Sequence, residues 1–70
     1  MKIFSSDDFG HVIRDRRKEL GLTQTQLAQL SGVGLRFISE LERGKESVRL
    51  GYAIKIASNL GIDITAESRG

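Results

Sequence analysis

The chain has 70 residues, 39% apolar and 29% charged, enough for one small domain over residues 1–70 and too few for a second. With no Cys and one His, disulfide staples and zinc clusters are excluded, so stability must come from clean helix packing or a second copy of the chain. Eleven basic and nine acidic side chains leave a net charge of +2, too small to point to nucleic acid without regard to where the charges sit.

Gly21, Gly32, Gly44 and Gly61 each follow an apolar-periodic stretch, where a helix C-terminus favours a residue that tolerates positive φ. They cut the chain into four short helical blocks. The first is predicted over about Ser6–Leu20, capped by Ser6, with Asp7 and Asp8 at the positive end of its dipole and Arg16, Arg17 and Lys18 at the other. Phe9, Ile13, Arg17 and Leu20 share its inward face. Gly10 inside it is expected to cost roughly 1 kcal/mol relative to Ala.

The second block opens on Thr23, which has the spacing of a capping box with Gln26, and is expected to turn Leu27, Ala28 and Leu30 inward until Ser31. Gly32-Val33-Gly34 is a tight turn. The third block, Leu35–Arg43, buries Ile38 and Leu41, and Gly44–Ser47 forms a polar loop. The fourth runs from about Leu50 to Leu60, with Leu50, Ile54, Ala57 and Leu60 at helical intervals. In residues 62–67 the period changes to two: Ile62, Ile64 and Ala66 alternate with Asp63, Thr65 and Glu67, the pattern of a half-buried strand. Such a strand needs a neighbour to pair with, or it is a free tail.

Gln24 to Arg43 therefore has the layout of a helix-turn-helix: two short helices crossing at Ala28, joined by a turn on Gly32. The expected architecture is all-α, four short helices around that motif, with the C-terminal strand pairing between subunits. One His removes most acid–base chemistry. His11 near Asp15, with Ser39 far along the chain, reads as a surface residue, and no phosphate loop or paired carboxylates are present. No enzyme, cofactor or metal is expected. No stretch nears the ~20 apolar residues of a membrane span, and no signal-like run follows Met1, so a cytoplasmic protein is expected.

Arg17, Gly21-Leu22-Thr23-Gln24, Leu27-Ala28, Gly32-Val33, Ile38-Ser39 and Glu42-Arg43-Gly44 together resemble the lambda-repressor/Cro (Xre) type of DNA-binding domain over residues 9–62. Within it, the run from Arg36 to Lys45 followed by a strand-like end looks most like the HipB-type antitoxins. The resemblance implies that the third block is a recognition helix lying in the major groove. It also implies an ion pair between Arg17 and Glu42, a backbone contact from Gln24, homodimerisation on a palindromic operator, and a HipA-like kinase toxin as partner. A stand-alone regulator without a toxin, or a motif kept for protein contacts, are the other readings.

The base-reading positions on this face are Gly34, Leu35, Arg36, Ser39 and Glu40, because they avoid the Ile38/Leu41 side. Arg36 suits guanine, whose O6 and N7 match a guanidinium. Leu35 either touches a thymine methyl or folds inward. Glu40 repels phosphate unless it accepts from cytosine or pairs with Arg36 or Arg43. Arg43 and Lys45 fit phosphate contacts, which set register without reading sequence. Ile62, Ile64 and Ala66 are the expected dimer contacts, with the fourth helix as the other route.

Overall fold

The computed structural model describes residues 2–70. Four helices follow one another: α1 (Ser6–Glu19), α2 (Gln24–Ser31), α3 (Leu35–Glu42) and α4 (Leu50–Asn59). They enclose one core of Ile13, Leu27, Ala28, Ile38, Leu41, Ala53, Ile56, Ala57 and Leu60, with Phe9, Leu22, Val33, Phe37, Val48 and Ile62 packed around it.

The helix ends follow capping chemistry. The Ser5 hydroxyl, not Ser6, accepts the Asp8 N–H at 3.1 Å, so the cap of α1 stands one residue earlier than expected. Asp8 in turn accepts the Phe4 N–H at 3.0 Å. At α2 the capping box is complete: Thr23 Oγ1 accepts the Gln26 N–H at 3.1 Å and Gln26 Oε1 accepts the Thr23 N–H at 2.8 Å. Thr23→Ala is expected to lower the unfolding free energy by about 1 kcal/mol, as measured by urea denaturation. Gly32 ends α2 at φ 68°, a left-handed conformation that costs a side-chain-bearing residue energy, and Val33 N–H then reaches the Ala28 carbonyl at 3.1 Å.

Several apolar residues expected inside lie outside: Leu20, Leu30, Leu50 and Ile54 are all exposed. In α4 the buried stripe is Ala53, Ile56, Ala57 and Leu60, a phase shifted from the one that the larger side chains suggest. Small residues are used where helices pack closely, so the bulkiest apolar residues of a short helix are a poor guide to its buried side.

Gly10 is not a weak spot but a requirement. It is where α1 passes the end of α3, and a Cβ there would stand 2.6 Å from the Leu41 carbonyl oxygen and 2.7 Å from that of Glu42. Two longer links hold α4 in place: Arg16 Nε donates to the Leu60 carbonyl at 2.9 Å, and Asn59 Nδ2 donates to the buried Ser31 hydroxyl at 3.1 Å.

Among the described residues of this single chain there is no strand, including over 62–67. Ile62 packs on the core and its N–H bonds the Ala57 carbonyl at 2.9 Å, but Ile64 and Ala66 are exposed. Within one chain these residues have no edge whose N–H and C=O groups could complete a ladder.

Candidate nucleic-acid interface

At 100° per residue, burying Ile38 and Leu41 turns Arg36, Ser39, Glu40 and Arg43 to the opposite side of α3. Leu35 is exposed beside them, which removes the inward-folded alternative. Gly34 takes the N-cap position with no side-chain hydrogen bond, so the first N–H groups of α3 are not covered by a capping side chain. Phe37 is half-buried and meets Tyr52 edge-on, ring centroids 5.7 Å apart at 71°. That contact makes it a packing residue.

The helix is fixed from behind by ionic bonds. Arg17 Nε donates to Glu42 Oε2 at 2.7 Å and Arg17 Nη2 to Glu42 Oε1 at 3.0 Å, a two-pronged pair in which both residues are buried. Arg17 Nη1 donates to the Leu22 carbonyl at 2.8 Å. The bond to Glu42 raises the Arg17 pKa against the opposing effect of burial, so the guanidinium stays charged. Gln24 Nε2 donates to Glu42 Oε1 at 3.1 Å. One amide hydrogen of Gln24 thus ties α2 to α3, beside the Arg17–Glu42 pair that joins α1 to α3. No buried side-chain polar atom among the described residues lacks a partner.

On the outer side the charges are arranged in a chain. Lys45 Nζ bonds Glu40 Oε2 at 2.7 Å, and Arg36 Nε stands 3.6 Å from Glu40 Oε1. The hydrogen bond from Lys45, with the positive fields of Lys45, Arg36 and Arg43, holds the Glu40 carboxyl below the usual carboxylate range. Arg43, the C-cap of α3, is exposed.

Arg49 was not among the expected residues. Its guanidinium lies 5.7 Å from the centroid of the Tyr52 ring, adding a cation at the edge of the same face. The i, i+3 spacing of Arg49 and Tyr52 at a helix start was the signal available for it. Gly34, Phe37, Glu40, Lys45, Arg49 and Tyr52 line a surface groove of about 350 Å³ between α3 and the start of α4.

His11 and Asp15 are exposed on α1. Among the described residues no three His, Asp or Glu side chains stand together as metal ligands, and no helix is long and apolar enough to cross a membrane.

The sequence matches the Helix-turn-helix family HTH_3 over residues 13–66. It is 43% identical over 67 residues to the HTH-type transcriptional regulator y4mF of Sinorhizobium fredii, covering 93% of this chain and 88% of that protein. A second HTH-type transcriptional regulator, from Methanothermobacter thermautotrophicus, is 50% identical over 50 residues, 71% of this chain and 72% of the other. The fold superposes on a chain of the HipA-HipB-O2-O3 complex with a TM-score of 0.87 and 26% identity, covering 100% of this chain and 99% of that one. A chain of the HipB-O4 20mer complex gives the same TM-score, identity and coverage.

Proposed function

The chain belongs to the Helix-turn-helix family HTH_3, and from that premise we propose that it is a sequence-specific repressor acting as a homodimer on a palindromic operator. It is a helix-turn-helix transcriptional regulator, and the observation that carries the finer reading is the exposed polar side of α3. That side bears Arg36, Ser39 and Arg43 and is held at a fixed angle by the buried Arg17–Glu42 pair. An α-helix so mounted fits the major groove.

Gly34, Leu35, Arg36, Ser39 and Glu40 face the base edges in this reading. Gln24, Arg43 and Lys45 anchor to phosphates, Gln24 through the amide hydrogen that Glu42 leaves free. One monomer reads too few pairs to be specific, so two copies bind half-sites about 34 Å apart. Ile64 and Ala66, exposed in the single chain, then pair with the same segment of the partner, with Ile62 as their base on the core. Ending the chain at Gly61 is expected to weaken the dimer in sedimentation equilibrium. A dimer of unchanged affinity would move the interface to α4, where Leu50 and Ile54 are exposed.

Two substitutions separate reading from anchoring. Arg36→Ala is expected to weaken the preferred duplex by roughly 1–3 kcal/mol and to relax preference at one base pair. Lys45→Ala is expected to weaken all duplexes alike and flatten the salt dependence by about one unit of slope. The reverse assignment would overturn the reading of the face.

The end-to-end likeness to chains of HipB complexes, one of which contains HipA, supports a further step: an antitoxin that autoregulates its operon and binds a HipA-like kinase toxin. Co-purification with a kinase-like protein from the adjoining reading frame is the expected result. A plain regulator would have no such partner.

A further inference from the structure

We propose that Glu40 is a specificity-determining residue that selects a cytosine, next to a guanine taken by Arg36. The assignment rests on the DNA-binding reading above. Glu40 lies on the groove-facing side of α3, four residues after Arg36, and its side chain keeps 21% of its exposure. A carboxylate there is an anomaly on a surface meant to meet phosphate. Its ion pair with Arg36 does not account for it, because Arg36 is 88% exposed at 3.6 Å and such i, i+4 pairs contribute little.

The geometry instead makes Glu40 tolerable near DNA and leaves it able to read. Lys45 takes one direction on Oε2 at 2.7 Å, and its charge, with that of Arg36 nearby, offsets the carboxylate's as the helix approaches the duplex. An ionised carboxylate has about four acceptor directions, so about three remain open. It can only accept. In the major groove guanine presents two acceptors and thymine an acceptor and a methyl, while adenine sets an acceptor beside its donor. Cytosine alone offers an amino donor with no acceptor of its own beside it. One helical turn separates Arg36 from Glu40 by about 6 Å along the axis. Base pairs rise about 3.4 Å, so the cytosine falls one or two pairs from the guanine.

The test is selection of duplexes from a randomised pool by the full chain, repeated with Glu40→Gln, Glu40→Ala and Arg36→Ala. The wild-type chain is expected to enrich a cytosine one or two pairs from the guanine whose preference Arg36→Ala abolishes. Glu40→Gln should move that preference to adenine, which a Gln amide bonds through N6 and N7. Glu40→Ala should erase it, with a loss of discrimination of about 5- to 150-fold. If both variants instead tighten every duplex equally and leave base preferences intact, Glu40 acts only as a charge and the assignment is overturned. A pool from which the wild-type chain enriches nothing overturns the repressor reading itself, and this assignment with it.

Discussion

Arg17→Ala is expected to lower the unfolding free energy by about 3–5 kcal/mol, the cost of leaving a buried charge without its partner. At about 0.05–0.15 kcal/mol per residue, that is a third or more of the stability a domain of this size has. The reason is the density of bonds at one point. Arg17 holds both oxygens of Glu42 and the Leu22 carbonyl, while Glu42 also receives Gln24. Urea denaturation followed by circular dichroism checks the prediction. Replacing both partners at once, as in Arg17→Met with Glu42→Leu, should recover much of the loss, because two apolar side chains leave no charge uncompensated. A double variant as unstable as the single one would show that the helices need these hydrogen bonds and not merely neutrality. The recovered fold should still bind DNA less well, since the pair also fixes the angle of α3.

The second large effect is expected at Gly10. Alanine in the middle of a helix ordinarily stabilises by roughly 1 kcal/mol relative to glycine. Here the added Cβ would sit 2.6–2.9 Å from backbone atoms of Leu41 and Glu42, which cannot rotate away. Gly10→Ala is therefore expected to destabilise by about 1–3 kcal/mol, the usual range for an overpacked contact. Gly51, in α4 with nothing within 4 Å of its would-be Cβ, supplies the contrast. Gly51→Ala should stabilise by about 0.4–1 kcal/mol. Opposite signs for two glycines on helices, measured by the same denaturation, would isolate packing from propensity. Equal signs would contradict the close approach of α1 to α3.

The local chemistry of this chain is legible from residue types because it acts over three or four residues. The glycines at 21, 32, 44 and 61 all take positive φ, and Thr23 with Gln26 forms its capping box. The helix-turn-helix was readable for the same reason, as spacing within twenty-odd residues. What spacing does not carry is which side of a short helix faces its neighbours. Leu30, Leu50 and Ile54 are large and apolar yet exposed, while Ala53 and Ile56, outside the stripe that the spacing suggests, are buried with the expected Ala28 and Ala57. The need for Gly10 is likewise hidden from local spacing, because it comes from α3, more than thirty positions away. At the site, the Arg17–Glu42 pair could be placed by resemblance. The engagement of Gln24 by Glu42 and of Lys45 by Glu40 depends on side-chain directions that only the fold supplies.

The proposed function requires the outer side of α3 to enter the major groove. Its most direct test is ¹H–¹⁵N NMR of the full chain titrated with a duplex enriched from a randomised pool. Shifts are expected to concentrate on the backbone amides of residues 34–40, with Gln24 and Lys45 at the margins and α4 nearly silent. Shifts confined to α1 or α4, with residues 34–40 unmoved at saturation, would contradict it.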